Sequence, residues 1–147
     1  MEKKQINNTL QLARHTLKEG GYTCVMLSDG EQQTSNDRGV KPLLDFLNSK
    51  KTFTEATAAD KTVGAGAAHL YVLLKVKALW ANVISESALK ILENNNIEIH
   101  YGELVPYIIN RKGDGVCPIE AAVKDAKTSQ EAYKLIIETL SKLQKSK

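Results

Sequence analysis

A short apolar run in the middle of the chain, followed by a helix and a second β-rich segment, constrains the fold most strongly. Residues 78–84 are almost wholly apolar, as is typical of a parallel strand buried on both faces. The stretch at residues 85–87 predicts a helix start, and residues 97–101 predict the next strand. Strands joined by a helix lie parallel with a right-handed crossover. The pattern therefore predicts an α/β protein with a parallel core.

The N-terminal part of the chain predicts a helix and an antiparallel hairpin. Apolar residues recur at helical spacing over residues 6–17, and a glycine pair at 20–21 ends that helix. Residues 22–27 are β-rich, an Asp-Gly turn follows at 29–30, and residues 31–35 return as a polar edge strand. Together with the parallel core, this hairpin predicts a three-layer α/β/α sandwich with a mixed sheet.

The remaining segments predict further helices and leave one choice open. Residues 39–47 have a helical apolar face, residues 53–59 fit either a strand or a loop, and a helical pattern runs from residue 63 to residue 74. Residues 107–109 are a candidate short strand. A capping box at residues 128–131 predicts the last helix.

Composition favours one cytoplasmic domain spanning residues 1–147. The chain is 42% hydrophobic and 25% charged, and no stretch reaches the ~18 apolar residues of a membrane helix. No signal peptide is expected, and the distant Cys24 and Cys117 fit reduced thiols. The net charge of +3 is spread out and aromatic residues are 5%, so neither nucleic-acid binding nor membrane binding is supported. The basic tail at residues 142–147 is expected to be frayed.

A polar, glycine-bearing loop that runs into a helix at residues 110–120 is the first candidate site. Glycines allow close backbone approach to a ligand, and a helix N-terminus favours anions. Arg111 suits a ligand phosphate and Asn110 a base or sugar edge. The alternatives are an ion pair between Arg111 and Asp114, exposure to solvent, and a loop closed by Asn110 itself.

Two further helix starts are expected at the carboxyl edge of the sheet, because each helix follows the end of a strand. This is the edge at which open α/β sheets bind their ligands. One start follows Asp60, Lys61 and Gly64, and the other begins at Ser85 and Glu86. Lys61 suggests a phosphate contact, although the order of a P-loop is absent. Gly64 and Gly66 fit close helix–sheet packing as an alternative, and Ser85 fits a helix cap.

Two residues of the loop are candidates for catalysis. Cys117 at a helix N-terminus fits a nucleophilic thiol, and the alternative is a small buried cysteine. Glu120, at the third position of that helix, fits an acid/base group or, more simply, a carboxylate that complements the helix dipole.

His69 lies on an apolar helix face and fits a satisfied core or surface histidine.

The chain resembles a bacterial domain family of uncharacterised function that has the cytidine-deaminase-like fold. Three stretches carry the resemblance: ADKTVGAGAA at 59–68, VISESALKIL at 83–92 and YGELVPYIINRKGDGVCPIE at 101–120. With the hairpin and residues 39–47, the resemblance covers the chain from about residue 6 to residue 120. It implies the deaminase scaffold and puts Glu86 at the edge where deaminases hold their metal.

The chain departs from active deaminases at both helix starts. Those enzymes place His or Cys, any residue and Glu on one helix, and Pro-Cys-x-x-Cys on the next, so that zinc activates a water. Here the first helix begins Val-Gly-Ala-Gly-Ala at 63–67 and the second Ser-Glu-Ser-Ala at 85–88. We therefore expect no metal and no cofactor, and the resemblance implies a scaffold without zinc chemistry.

Three functions remain open from the sequence. The first is a non-catalytic domain that binds a nucleotide-like or other anionic small ligand through Lys61, Glu86, Asn110 and Arg111. The second is a metal-independent enzyme with Cys117 as the nucleophile and Glu86 or Glu120 as acid/base. The third is a homo-oligomeric interaction module that uses an exposed helix or the strand at residues 31–35. The first is the preferred prediction.

Overall fold

The computed structural model describes residues 2–28, 31–37, 39–49, 53, 55–109, 113 and 115–145, with side chains described between residues 8 and 143. Within these residues the chain forms five strands and six helices. In chain order they are α1 (Glu2–Gly20), β1 (Cys24–Ser28), β2 (Glu31–Ser35), α2 (Lys41–Asn48), β3 (Thr57–Val63), α3 (Ala65–Leu74), β4 (Ala78–Ser85), α4 (Glu86–Asn94), β5 (Glu98–Val105), α5 (Pro118–Ala122) and α6 (Ser129–Lys145).

The five strands form one mixed sheet in the order β2-β1-β3-β4-β5. Strand β1 is antiparallel to β2 and β3, and β3, β4 and β5 are mutually parallel. The predicted antiparallel hairpin and the predicted parallel core are confirmed. The turn of the hairpin, at residues 29–30, lies outside the described residues. Val63 pairs with Ile84, so β3 and β4 end side by side and their following helices begin at one edge.

Helices cover the sheet on both faces, which makes three layers. On one face α1 packs Leu10, Ala13 and Leu17 against β1, β3 and β4, and Arg14 lies 4.8 Å over the ring of Trp80. The other face carries the larger core, to which α2, α3, α4 and α6 contribute. No helix of the described residues has the length and apolar character to cross a bilayer.

Strand β3 resolves the choice that the sequence left open at residues 53–59. It runs from Thr57 to Val63, so the prediction of a helix from residue 63 is wrong by two residues at its start. Val63 is buried among helix residues, which explains the helical pattern, but Gly64 is extended and α3 begins at Ala65. Residues 107–109 form no strand; they contribute only an isolated bridge between Ile109 and Val116.

The strands β3 and β4 both shift their side-chain alternation by one residue. Ala58 and Val63 belong to the same helix-facing core although five residues separate them. Ala81 and Ile84, three residues apart, do the same in β4. Strict alternation would put each pair on opposite faces, so the alternation is interrupted between residues 60 and 63 of β3 and between residues 81 and 84 of β4. The register skips the Lys61–Asn82 and Asn82–Gly102 pairs in the same row, and we call this interruption the kink of the sheet.

Candidate functional site

The carboxyl edge of the sheet brings two predicted site segments together. Helix α3 begins at Ala65, two residues beyond the end of β3, and α4 begins at Glu86, directly after β4. Because Val63 pairs with Ile84, the two helix starts are neighbours. Gly64, Ser85 and Glu86 therefore lie at one edge, as expected for an open α/β sheet.

The start of α3 already holds a carboxylate, which comes from Glu120 of α5. Glu120 Oε1 accepts the N–H of Ala65 at 3.4 Å, and Oε2 accepts the N–H of Ile108 at 2.9 Å. The residue is 7% exposed. A negative group at a helix N-terminus is stabilised by the unpaired N–H groups and the helix dipole. The chain thus supplies its own anion to this position.

The two glycines of α3 make room for α5. A Cβ atom on Gly64 would lie 2.8 Å from Glu120 Oε2, and one on Gly66 would lie 2.4 Å from Ile119 Cγ2. Only a residue without a side chain allows both approaches, since real Cβ atoms do not come so close to other heavy atoms. The predicted close packing of these glycines was against the sheet, whereas the structure has α5 against them, and this packing explains how Glu120 reaches the helix start.

The start of α4 is capped by Ser85, as predicted. The Ser85 side chain is fully buried and its Oγ accepts the N–H of Ala88 at 3.2 Å. Glu86 and Ser87, in the first turn, are exposed. A carboxylate in this turn complements the helix dipole. The α4 start therefore presents polar groups to solvent, whereas the α3 start is closed by α5.

Asp60 and Lys61 differ in their exposure to solvent. Asp60 is buried in the core, where its Oδ2 accepts a 2.6 Å hydrogen bond from Tyr71 Oη and its Oδ1 accepts the N–H of Thr62 at 3.2 Å. The neighbouring Lys61 is exposed. Of this predicted pair, only Lys61 is accessible to a ligand.

Cys24, on β1, completes a buried polar cluster with Asp60 and Tyr71. Its Sγ lies 3.4 Å from Tyr71 Oη. Burial raises the pKa of Asp60 to about 7, against the opposing effects of its hydrogen bonds from Tyr71, Thr62 and Lys61. Burial also raises the pKa of the Cys24 thiol and that of the Tyr71 hydroxyl, with the Asp60 charge adding to both. The cluster is therefore uncharged in mildly acidic solution.

Cys117 and His69 have structural contacts. Cys117 is half-buried at the start of α5, and its N–H donates to the Ile108 carbonyl at 2.8 Å. Burial lowers the pKa of His69, whose Nδ1 lies 3.0 Å from Ser129 Oγ. His69 thus fits the prediction of a satisfied core histidine.

Three predicted ligand contacts, Asn110, Arg111 and Asp114, lie outside the described residues. Within those residues, no group of three or more His, Cys, Asp or Glu side chains is arranged to hold a metal ion. Sequence reasoning missed Tyr71 and the Ile108 N–H. Tyr71 shares the apolar stripe of α3, and only its hydroxyl group distinguishes it from a plain core residue.

Two comparisons identify the family. The TM1506 family model, described as a domain of unknown function (DUF1893), matches residues 12–140. The crystal structure of a DUF1893 family protein (TM1506) from Thermotoga maritima is similar to this chain, with 26% sequence identity and a TM-score of 0.80. That similarity covers 92% of this chain and 90% of the other. No curated protein matches. The chain belongs to the DUF1893 family.

Proposed function

We propose that this DUF1893 domain has a cytidine-deaminase-like scaffold without zinc chemistry and binds a nucleotide-like small ligand at the carboxyl edge of its sheet. The observation that carries the proposal is the adjacency of two helix starts at the ends of paired strands, Val63 beside Ile84. The α3 start already holds the Glu120 carboxylate, so the neighbouring N-terminus of α4 is the one that attracts an anionic group of the ligand. The deaminase-like scaffold is supported by the antiparallel first hairpin and the parallel strands β3, β4 and β5.

The side chains at these helix starts favour binding over zinc chemistry. Where deaminases carry thiol or imidazole ligands, this chain has Gly64, Ala65, Gly66 and Ala67 in one helix and Ser85, Glu86 and Ser87 in the other. Neither set contains the nitrogen and sulfur donors that zinc prefers. Hydroxyl, carboxylate and backbone N–H groups recognise a polar organic ligand instead.

The exposed residues fit a ligand that has both an anionic and a donor-rich part. The exposed Lys61, two residues before the end of β3, would supply the cation, and the exposed Glu86 would supply an acceptor at the α4 start. A phosphate group would pair with the lysine, whereas the amino or hydroxyl groups of a base and ribose would donate to the carboxylate. The N–H of Ala65 is already bonded to Glu120, so the ligand anion approaches from the α4 side.

Thermal unfolding in the presence of individual nucleosides and nucleotides tests the proposal. A ligand at ~100 times its Kd adds about 2.7 kcal/mol to the free energy of unfolding. Lys61→Gln should weaken the binding of a nucleotide more than the binding of the corresponding nucleoside. Glu86→Gln should weaken the binding of both. Lys90→Gln and Glu93→Gln, exposed positions on α4, are the matched controls. No shift across the panel, or equal effects of the control variants, would contradict the proposal.

A further inference from the structure

Strand β5 is an open edge of the sheet. It pairs with β4 on one side, and no described strand pairs with it on the other. Residues 100–104 are all exposed. Two of them carry large apolar side chains, Tyr101 at 42% and Leu104 at 41% exposure. An eight-residue edge with apolar side chains is a template for pairing with another strand. The opposite edge, β2, is short and polar.

The kink of the sheet determines which residues of β5 share a face. Leu79 and Ile84 of β4 both belong to the helix-facing core. Their partners in β5 are Ile99 and Leu104, and paired residues of neighbouring strands point to the same face. Ile99 and Leu104 therefore share a face despite an odd separation of five residues.

The charged residues of β5 share the other face. His100 neighbours Ile99 and pairs with Trp80, which lies in the α1-facing core. Glu103 neighbours Leu104, so alternation puts it on the face of His100. His100 Nε2 lies 3.0 Å from Glu98 Oε2, and no described residue hydrogen-bonds to its Nδ1. One face of β5 thus carries an imidazole and, beyond the kink, a carboxylate.

We propose that β5 pairs antiparallel with β5 of a second copy of this chain, about a two-fold axis between Tyr101 and Gly102. This register puts Ile99 opposite Leu104 of the second copy and His100 opposite its Glu103. It is the register in which opposed residues lie on the same face, because the kink makes Ile99 and Leu104 equivalent. In a regular strand, two opposed residues share a face only if their numbers are both odd or both even. The pair Ile99 and Leu104 meets this requirement of a shared face only because of the kink.

Charge complementarity singles out a second copy as the occupant. The two-fold axis creates two imidazole–carboxylate contacts. A ring that carries both N–H groups donates to Glu98 from Nε2 and to Glu103 of the second copy from Nδ1, whereas a ring with one N–H donates to only one of these carboxylates. Glu98 lies opposite Val105, so no like charges face each other in this register. Tyr101 lies opposite Gly102, an aromatic–glycine pairing that covers the exposed glycine backbone. A two-fold contact of this kind is isologous and closes at the dimer.

Light scattering after size exclusion tests the dimer, from about 5 to about 200 µM chain, a range that detects micromolar association. The expected mass is twice that of the chain. Glu103→Lys puts a cation opposite His100 at both symmetry-related contacts, and we expect about tenfold weaker association. Glu93→Lys, an exposed change on α4, is the matched control and should leave the dimer unchanged.

Disulfide cross-linking tests the register. The double variant Ile99→Cys, Leu104→Cys should form a cross-linked dimer under mild oxidation, since each new thiol faces its counterpart in the second copy. Each single variant should remain uncross-linked, because its thiol faces an aliphatic side chain. A monomeric mass at the highest concentration overturns the proposal. So does a dimer that Glu103→Lys and Glu93→Lys affect equally, or one that cross-links equally through the single variants.

Discussion

Tyr71 donates a 2.6 Å hydrogen bond to Asp60 Oδ2 in the core, and the pair lies beside Cys24, which faces Asp60 across the β1–β3 register. The cluster sits next to the kink in β3, where Asp60 Oδ1 also accepts the Thr62 N–H. A buried carboxyl group is costly when it is ionised, so the protonation of Asp60 affects the stability of the whole fold.

We expect the free energy of unfolding to fall as the pH rises from about 4 to about 7. The Asp60 pKa is about 7 in the folded chain, against the ordinary value of 3.8 that applies in the unfolded chain, so the folded state retains a proton that the unfolded state releases. This contribution is complete below pH 3.8 and is lost as the pH rises through about 7, with a slope of at most about 1.4 kcal/mol per pH unit. Urea unfolding at half-unit pH intervals measures the slope.

Asp60→Asn isolates this contribution from those of the other titratable groups. The amide keeps an acceptor for Thr62 N–H and cannot ionise. The variant should lose stability less steeply than the original chain between pH 4 and pH 7. Asp45→Asn, at an exposed position of α2, is the control. Parallel stability–pH curves for the original chain and Asp60→Asn would show that Asp60 does not hold this proton.

Removing the Tyr71 hydroxyl should destabilise the fold and extend its pH dependence. Tyr71→Phe leaves Asp60 Oδ2 without its 2.6 Å donor, and a buried group without a partner costs about 1–3 kcal/mol. The lost hydrogen bond had lowered the Asp60 pKa, so that pKa rises further and the fall in stability continues above pH 7. Tyr133→Phe on α6 is a half-buried control. Urea unfolding at the same pH intervals measures both the loss of stability and its pH dependence. If the stability of Tyr71→Phe stops falling at the same pH as that of the original chain, the predicted rise of the Asp60 pKa is contradicted.

Local patterns in the sequence predict the middle of the sheet and its capped helix. The apolar run of β4 and the serine at its end act within a few residues, so Ser85 could be assigned as a cap in advance. Strand β3 could not be assigned, because Ala58 and Ala59 have weak β propensity and Asp60, Lys61 and Thr62 are polar. Its strand geometry comes from pairing with β1 and β4 on both sides.

The closed start of α3 depends on contacts that no local pattern contains. Glu120 and Ala65 are 55 residues apart, and the sequence gives Glu120 only a role within its own short helix. The sequence suggests that Gly64 and Gly66 allow close packing against the sheet, whereas in the structure they allow the approach of α5. The fold brings α5 against α3, and only then does the glutamate become the anion at that helix start.

Gly66→Ala should be destabilising, against the usual trend. Alanine is favoured over glycine within a helix by about 1 kcal/mol. Here the added Cβ would lie 2.4 Å from Ile119 Cγ2, and overpacking of this kind costs about 1–3 kcal/mol. Thermal or urea unfolding determines the sign. Adding Ile119→Leu, which removes the second γ carbon, should recover part of the loss. A stabilised Gly66→Ala variant would show that α5 does not pack on α3 at this distance.

Replacing Glu120 with glutamine should loosen the junction between α3, residue 108 and α5. Both carboxylate oxygens accept backbone N–H groups, from Ala65 and Ile108, whereas an amide offers one acceptor and directs its own N–H groups at the other donor. We expect a loss of about 1–3 kcal/mol, with faster hydrogen exchange at the amides of Ala65 and Ile108. Glu138→Gln, exposed on α6, should change neither quantity. Because exchange is read residue by residue, a general loss of stability raises exchange throughout the core, whereas loss of this contact raises it first at these two amides. Unchanged exchange at both positions would mean that the Glu120 carboxylate does not hold the start of α3.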